Sequence, residues 1–165
     1  MGRELETPLN RYRGVVLPEW VDYNGHMNVA YYLVAFDLAT DVFLEWIGLD
    51  KALRETRGGT TFTAEVHIGY RRELHEGDPI SITTQLLSYD QKRIRYLHRM
   101  YHADEGFEAA YAENLSLYVD LGSRRVAEMT PETLQKLAEV LTAHTTLGLP
   151  EEAGRAIARP PLPGD

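Results

Sequence analysis

One long apolar segment dominates the pattern of hydrophobic and polar positions along this chain. Between residues 29 and 47 the only charged side chains are Asp37, Asp41 and Glu45, which recur at every fourth position. Residues four apart lie on one face of an α-helix, so these acids form a narrow stripe on an otherwise apolar circumference. The pattern predicts a central helix that other structure must enclose. It should end near Gly48, because glycine is common just after a helix.

Beyond a connector at 49–60, apolar residues recur at every second position, which predicts a strand at 62–70. Turn sequences rich in Gly, Asp and Pro then separate further runs of β-branched and aromatic residues. These runs predict three more strands, at 80–89, 93–103 and 108–121. Together the four strands are expected to form an antiparallel meander. A short strand is also predicted before the helix, at 13–18.

The C-terminal part predicts a surface helix, because Thr130 and Pro131 have the pattern of a helix start and a one-sided apolar stripe follows. Residues 149–165 are rich in Pro, Gly and charge and are expected to be a loose tail. We therefore expect a single domain over 1–165, with its core at about 11–146. The fold class is α+β, a curled antiparallel sheet of about five strands wrapped around one helix.

Composition narrows the classes of partner. The chain has 165 residues, is 44% hydrophobic and has a net charge of −8, which argues against nucleic acid as a partner. The chain contains no cysteine, so disulfides, thiolate nucleophiles and cysteine-based zinc sites are excluded. No signal-peptide pattern is visible, and the longest apolar segment carries three acids. We expect a cytoplasmic protein without a membrane partner. The edge strands of its sheet favour a homodimer, or a homotetramer made of two such dimers.

Candidate chemistry is concentrated in the turn from Asp22 to Asn28, just before the long helix. The first backbone N–H groups of a helix lack internal acceptors and favour negative charge, so amides 25–28 could bind an oxyanion. Asp22 suits a nucleophile or a general base, since a helix N-terminus favours its ionised form. It would equally suit a residue that complements the helix dipole. Gly25 permits a tight turn and close approach of a substrate to the backbone.

The other residues of this turn have two interpretations each. His26 could orient Asp22, hold water or bind a substrate oxygen, or it could be a structural histidine. Asn28 is expected to be the N-cap of the helix and a site residue in addition. Met27 lies between them and is a positioning candidate.

In this turn and beyond it, the residues resemble the hotdog-fold acyl-CoA thioesterases, in particular the 4-hydroxybenzoyl-CoA thioesterase-like group. The resemblance covers about residues 11–130 and rests on Asp22-x-x-Gly25-His26-x-Asn28. Further support comes from three other places, Tyr70, Gly77-Asp78 and Val119-Asp120 with Arg125. The run from Trp20 to Met27 is similar to the betainyl-CoA thioesterases of carnitine catabolism.

The resemblance implies hydrolysis of a short-chain acyl-CoA, with betainyl-CoA as one candidate. It also implies a catalytic role for Asp22, polarisation of the carbonyl by helix amides and a site at a subunit boundary. No cofactor is implied. Hotdog proteins also include non-catalytic acyl-CoA-binding members and enoyl-CoA hydratase-type lyases, so these two alternatives remain open.

Further residues are candidates for substrate contacts. The aromatic residues near the turn could form core or a cage for a trimethylammonium group, with Asp37 or Glu45 nearby. These aromatic residues are Trp20, Tyr23, Tyr31 and Tyr32. Candidates for contacts with the CoA phosphates are Arg93, Arg95, Arg124 and Arg125.

Glu65 and His67 share the polar face of the first meander strand, where they could be solvated, contact a second subunit or supply a catalytic acid. His98 and His102 have the spacing of a helical metal pair. On a strand, however, they would lie about 13 Å apart, too far to share an ion. We therefore predict no metal site.

Overall fold

A long helix packs against a curled antiparallel sheet in the computed structural model, which describes residues 5–162 and Gly164. Single 3-10 turns lie at Pro18–Trp20 and Thr145–Leu147. In the described residues the elements follow in the order β1 (Leu9–Val15), α1 (Val29–Trp46), α2 (Lys51–Arg57), β2 (Gly59–Tyr70), β3 (Pro79–Tyr89), β4 (Arg93–His102), β5 (Glu108–Asp120), β6 (Arg125–Val126) and α3 (Pro131–His144).

The strand order is β1-β3-β4-β5-β2, and the two-residue β6 pairs with β5. The predicted four-stranded meander is therefore wrong in one respect. β3, β4 and β5 form a meander, but β2 pairs with β5 at the far edge of the sheet. The connection 71–78 is too long for a tight hairpin, and its Leu74 is fully buried. The Leu74 carbonyl accepts the Met27 N–H at 2.7 Å, so this connection passes in front of the N-terminal end of α1.

Helix α1 forms as predicted, and local signals explain both of its ends. The Asn28 side chain accepts the Ala30 N–H, which caps the first turn. The helix ends at Trp46, just before Gly48, whose φ of +86° is the left-handed conformation that glycine tolerates best.

The expected enclosure of α1 is only half realised within one chain. Tyr32, Phe36 and Phe43 are buried against the sheet. The opposite face is also apolar but open to solvent, with Val29 59% and Leu33 44% exposed. A single sheet covers one side of a helix, so the second apolar side needs another partner. The apolar face is defined by four residues, Val29, Leu33, Val34 and Leu38.

Strand β2 is less buried than its alternating pattern predicts. It is the last strand in the sheet order, and its register shifts between Thr63 and Glu65. Val66 and Ile68 pack against the core, whereas Phe62 and Tyr70 are exposed. An edge strand has neighbours on one side only, so alternation alone does not ensure burial.

Other boundaries also differ from the sequence-based expectation. The connector 49–60 contains helix α2, whose N-cap Asp50 accepts the Leu53 N–H at 2.8 Å. Strand β1 begins earlier than expected and ends at Val15, so the core starts at Leu9, which is buried. In the described part of the chain, no helix has the length and apolar character needed to cross a bilayer.

The C-terminal helix α3 has the predicted start, with Thr130 as N-cap and Pro131 in its first turn. The expectation of a loose tail is wrong for its first residues. Glu152 is buried and forms ion pairs with Arg99 and Arg71, at 2.8 Å for Arg99. The Gly154 N–H also donates to Glu113 at 2.6 Å. Buried charges remain ionised only when paired, so Arg99 on β4 and Arg71 just after β2 hold this segment in place.

Candidate active site

The loop from Asp22 to Asn28 closes on itself before α1 begins. The Asp22 N–H donates to the His26 carbonyl, and the Gly25 N–H donates to the Asp22 carbonyl, both at 3.0 Å. Gly25 has a φ of +82°, which an L-residue adopts only with strain. Val21 and Met27 form an isolated antiparallel bridge at the base of the loop. Residues 23–26 are therefore held away from the core.

The Asp22 carboxylate is half-buried and only partly engaged. Its Oδ1 accepts the Asn24 N–H at 2.9 Å, and Asn28 Nδ2 lies 3.5 Å from Oδ2. Within residues 5–162, no Lys, Arg or His side chain forms an ion pair with it. The turn thus fixes the position of one carboxylate oxygen and leaves most of the bonding capacity of the other unused.

The expected set of free amides at 25–28 needs correction. Three of these four N–H groups have backbone acceptors: Gly25 binds Asp22, Met27 binds Leu74 and Asn28 binds Trp20. Across the described residues, the N–H groups of His26 and Val29 have no recorded acceptor. Val29 is the first residue of α1, where an N–H points outward from the helix start. Sequence reasoning missed Val29, although its position directly after the Asn28 cap was the available signal.

The His26 side chain does not approach Asp22 as expected. Its Nε2 lies 3.1 Å from Glu73 Oε2, and its ring meets the edge of the His75 ring at 5.6 Å. The carbonyl of His26 faces the Asp22 N–H, so the loop directs the imidazole to the outside. Sequence reasoning missed Glu73 and His75, because only the path of the 71–78 connection brings them to this loop.

The four aromatic candidates separate into two groups. Trp20 and Tyr31 stack at 5.9 Å, and Tyr32 meets the edge of Tyr70 at 5.2 Å, all beside the start of α1. The Tyr70 hydroxyl donates to the Val29 carbonyl at 3.1 Å, and burial raises the pKa of this phenol, which keeps it neutral. Tyr23, by contrast, is 98% exposed at the tip of the loop. Trp20 and Tyr32 belong to the core, so one chain alone does not form an open aromatic cage.

The strand candidates lie away from the loop. Glu65 is exposed and His67 packs on the Tyr111 ring at 6.2 Å. No recorded contact among the described residues joins either of them to Asp22 or His26.

The structure does not bring the arginine candidates to Asp22 within one chain. Arg93 pairs with Asp90 at 2.6 Å, and Arg95 pairs with Glu113 at 2.5 Å. Arg124 and Arg125 are exposed beyond β5. The four lie toward the end of the sheet where β4 starts and β5 ends, opposite the end that packs on the Asp22 loop.

A cavity of about 420 Å³ lies along the 71–78 connection and has a mainly polar lining. It opens beside Glu73 and His75, the two residues that also contact His26. Its lining residues include Arg71, Arg72, Glu73, His75, Asp78 and His102. The Arg72 guanidinium lies over the Phe107 ring at 3.8 Å, which holds it against the wall. This end of the molecule therefore combines a partly engaged carboxylate, two backbone N–H groups without an acceptor among the described residues, and an open polar cavity.

A comparison with protein families places this site in a known context. The model of the thioesterase-like superfamily matches residues 16–137, which is more than half of the chain and includes the entire Asp22 loop. The chain belongs to the thioesterase-like superfamily. This membership confirms the predicted family, and together with the relatives described next it supports the predicted thioester hydrolase activity.

Relatives of known activity extend over almost the whole chain. The betainyl-CoA thioesterase of Pseudomonas aeruginosa is 40% identical over 154 residues, which cover 93% of this chain and 97% of that protein. The L-carnitine dehydrogenase/betainyl-CoA thioesterase of Ruegeria pomeroyi is 39% identical over 157 residues. This match covers 95% of the present chain and 32% of the longer protein.

Solved structures confirm the hotdog fold. Protein SAV2348 of Staphylococcus aureus, solved in complex with CoA, superposes with a TM-score of 0.85 at 27% identity and covers 95% of this chain and 99% of its own. A DHNA-CoA thioesterase from Staphylococcus aureus has a TM-score of 0.75 at 13% identity, with 84% of this chain and 94% of its own covered. The second likeness concerns the fold alone.

Proposed function

We propose that this thioesterase hydrolyses betainyl-CoA, a CoA ester whose short acyl group carries a trimethylammonium cation. The observation that carries this proposal is the 40% identity with the Pseudomonas aeruginosa betainyl-CoA thioesterase over nearly the full length of both chains. The acyl group is the finer part of the proposal, since the family itself includes several acyl specificities.

In the proposed mechanism, the Asp22 carboxylate is the reacting group. As a general base it removes a proton from water while the water oxygen attacks the thioester carbon. The carbon–sulfur bond then breaks and the CoA thiolate leaves. Asp22 gives the abstracted proton to this thiolate, which regenerates the carboxylate. Attack by the carboxylate itself would instead form an acyl anhydride on Asp22, which water then hydrolyses. The weakly engaged Oδ2 is compatible with both routes.

We assign the carbonyl-polarising role to the N–H groups of Val29 and His26. Both lack recorded acceptors among the described residues, and Val29 lies at the positive end of the α1 dipole. His26 acts in this proposal through its backbone, because its carbonyl also orients Asp22. Its imidazole faces Glu73 and is available for other interactions.

We also propose that a second copy of the chain completes the site. The apolar face of α1, with Val29, Leu33, Val34 and Leu38, is exposed in one chain. Strand β2 has 12 residues and a free edge next to this helix. Exposed apolar faces and free strand edges are commonly buried in homodimer interfaces. The missing walls of the acyl pocket would then come from the partner, with the exposed acids of α1, Asp37 and Glu45, available to attract the cation.

Sedimentation and activity together test the dimer. Leu38→Arg should give monomers and lower activity, because it places a charge in the interface. Ala138→Arg puts the same charge on the exposed side of α3 and should leave a dimer. A wild-type chain that is monomeric and fully active would contradict this part of the proposal.

The substrate is tested with betainyl-CoA and its uncharged isostere, 3,3-dimethylbutyryl-CoA. The two acyl groups have the same shape and differ in the charge of one atom, so their ratio of kcat/KM isolates recognition of the cation. We expect a preference of about tenfold or more for betainyl-CoA, which is about the worth of one desolvated cation–π contact. Equal rates would reject betainyl-CoA as the preferred substrate while leaving the thioesterase assignment intact. Binding of both esters without release of CoA would support the non-catalytic alternative.

A further inference from the structure

We infer that His26, Glu73 and His75 form a binding site for a divalent cation of the zinc class, at the outer side of the Asp22 loop. One ligand atom from each of these residues can be chosen so that all three lie within 4.8 Å of one another. The nearest pair, His26 Nε2 and Glu73 Oε2, is 3.1 Å apart, and His75 Nε2 lies 3.9 Å from Glu73 Oε1. Ligands of a tetrahedral zinc ion are about 3.3 Å apart, so small side-chain rotations complete the arrangement.

The backbone holds the three residues in this arrangement. Met27 and Leu74 are both buried, and the Met27 N–H donates to the Leu74 carbonyl at 2.7 Å. Each metal-site residue is a direct neighbour of one member of this buried pair. His26 precedes Met27, while Glu73 and His75 flank Leu74, so burial of the pair directs their side chains outward to the same surface. The site is thus preorganised although its side chains are exposed.

A carboxylate lies beside the other nitrogen of the His75 ring. Its Nδ1 lies 3.6 Å from Asp78 Oδ2, and its backbone N–H donates to the same oxygen at 2.8 Å. Histidines that bind metals commonly have a carboxylate at the other ring nitrogen, which leaves Nε2 for the ion. Asp78 is therefore a positioning residue for the proposed ligand.

The surroundings favour a cation. Both arginines of the 71–78 connection are held elsewhere, because Arg71 pairs with Glu108 at 3.0 Å and Arg72 lies over the Phe107 ring. Two imidazoles and one carboxylate select zinc or a similar transition metal over magnesium, which prefers oxygen ligands. The absence of cysteine from the chain removes competing thiolates.

Occupancy should slow hydrolysis, because the ion would hold the Asp22 loop to the 71–78 connection. His26 is a ligand and also carries the carbonyl that binds the Asp22 N–H. Restricting this residue restricts the loop through which the substrate must reach Asp22. This effect rests on the proposed function, whereas binding of the ion does not.

Calorimetric titration of the metal-stripped, tag-free full chain with Zn²⁺ tests binding without substrate. We expect one ion per chain, with affinity lowered about tenfold or more in His75→Ala and in Glu73→Gln. His67→Ala is the matched control, because His67 lies on β2 and packs on Tyr111 rather than on the three proposed ligands. The zinc affinity of this variant should equal that of the wild type. Mg²⁺ should give no binding. Equal zinc affinity in wild type and His75→Ala, or no binding at all, would overturn the site.

Hydrolysis assays then test the consequence. Zn²⁺ should inhibit the wild type at concentrations that fill the site, and His75→Ala should lose this inhibition when its own rates with and without Zn²⁺ are compared. Zinc binding without inhibition would overturn the coupling to the Asp22 loop. A chain that binds zinc but hydrolyses no acyl-CoA would overturn the proposed function instead, so the two failures can be told apart.

Discussion

Two groups of polar residues, one packed against the middle of α1 and one just before its N-terminus, differ in how completely their hydrogen bonds are satisfied. In the middle of the helix, Thr40 hydrogen-bonds to His98 Nε2 and Thr84 to His98 Nδ1, both at 2.9 Å. All three residues are buried, and His98 also stacks on Phe36. Throughout the described part of the chain, every buried side-chain nitrogen or oxygen has a partner. At the N-terminal end, by contrast, the Asp22 loop is exposed and its groups are only partly engaged.

The difference separates a structural role, at the middle of α1, from the proposed chemical role of the loop before it. A buried polar group must have its partners, because an unmet hydrogen bond in the interior costs about 1 to 3 kcal/mol. Such a cluster can join helix to sheet but has no capacity left for a substrate. An exposed loop with unmet hydrogen bonds costs little folding free energy, because water can bind its polar groups. Its donors and acceptors remain available for a ligand. Substitutions in the buried cluster should therefore change stability, and substitutions in the loop should change activity.

The largest expected effect is on catalysis. Asp22→Asn should lower the rate of CoA release by about 10² to 10⁴-fold, because the neutral amide cannot act as base or nucleophile. The amide oxygen can still accept the Asn24 N–H, so the melting temperature should stay close to that of the wild type. Glu19→Gln, a similar change at an exposed acid just before the loop, should leave both quantities unaltered. An unchanged rate in Asp22→Asn would remove this carboxylate from the mechanism.

The next effect is on stability. His98→Leu should lower the free energy of unfolding by about 2 to 4 kcal/mol, because the Thr40 and Thr84 hydroxyls each lose a buried partner. The activity per folded molecule should stay near that of the wild type, since His98 lies on β4 and contacts the middle of α1 through Thr40, away from the Asp22 loop. Urea unfolding and an activity assay measure the two quantities. Loss of activity without loss of stability would contradict the separation of roles.

The same histidine predicts a dependence of stability on pH. Burial lowers the pKa of His98 from its ordinary 6.5 to about 3, so the unfolded chain binds a proton there at pH values where the folded chain does not. Stability should therefore fall as the pH drops from 6.5 toward 3, by roughly 2 kcal/mol at pH 5. Burial lowers the pKa of His144 as well, which adds to the same trend.

Urea unfolding at pH 7 and pH 5 checks this dependence. His98→Leu should show a weaker loss than the wild type over this interval, because one of the buried histidines is gone. If the two proteins lost the same free energy of unfolding between pH 7 and pH 5, groups other than His98 would account for the pH dependence.

A smaller effect is expected at the C-terminal segment. Glu152→Gln should lower the free energy of unfolding by about 1 to 3 kcal/mol, since it leaves Arg99 and Arg71 with one carboxylate partner fewer. The Arg99 side chain lowers the pKa of Glu152 to about 2, so this contribution is lost only as the pH falls from 4.5 toward 2. Glu151→Gln, the exposed neighbour, is the control and should change nothing. Equal stability of the two variants at pH 7 would show that the ion pairs of Glu152 do not stabilise the fold.

The smallest expected effect is at the N-cap. Asn28→Ala should cost about 1 kcal/mol by leaving the Ala30 N–H without its acceptor, whereas Asn28→Ser should keep most of the cap. Both variants lose the 3.5 Å contact with Asp22 Oδ2. If that contact positions the carboxylate, the two should have equally reduced kcat despite their different stabilities. Thermal unfolding and initial rates distinguish the two contributions.

The sequence by itself determined most of the helices and strands and the candidate loop at Asp22–Asn28. The apolar run with its Asn28 cap and Gly48 end predicts α1 to within one residue, and runs of β-branched and aromatic residues between turns predict the strands of the β3-β4-β5 meander. The same reading found the Asp22 loop and the superfamily. These features depend on residues within a few positions of one another, because helix periodicity, caps and turns are local.

Only the tertiary structure decided which distant segments meet. Pairing of β2 with β5 sends the 71–78 connection past α1, and this path places Glu73 and His75 beside His26. The salt bridges of Glu152 likewise depend on which sheet face the tail crosses. Strands of similar composition can pair in several orders, and the order is selected by long-range packing of the whole chain, which no local pattern encodes.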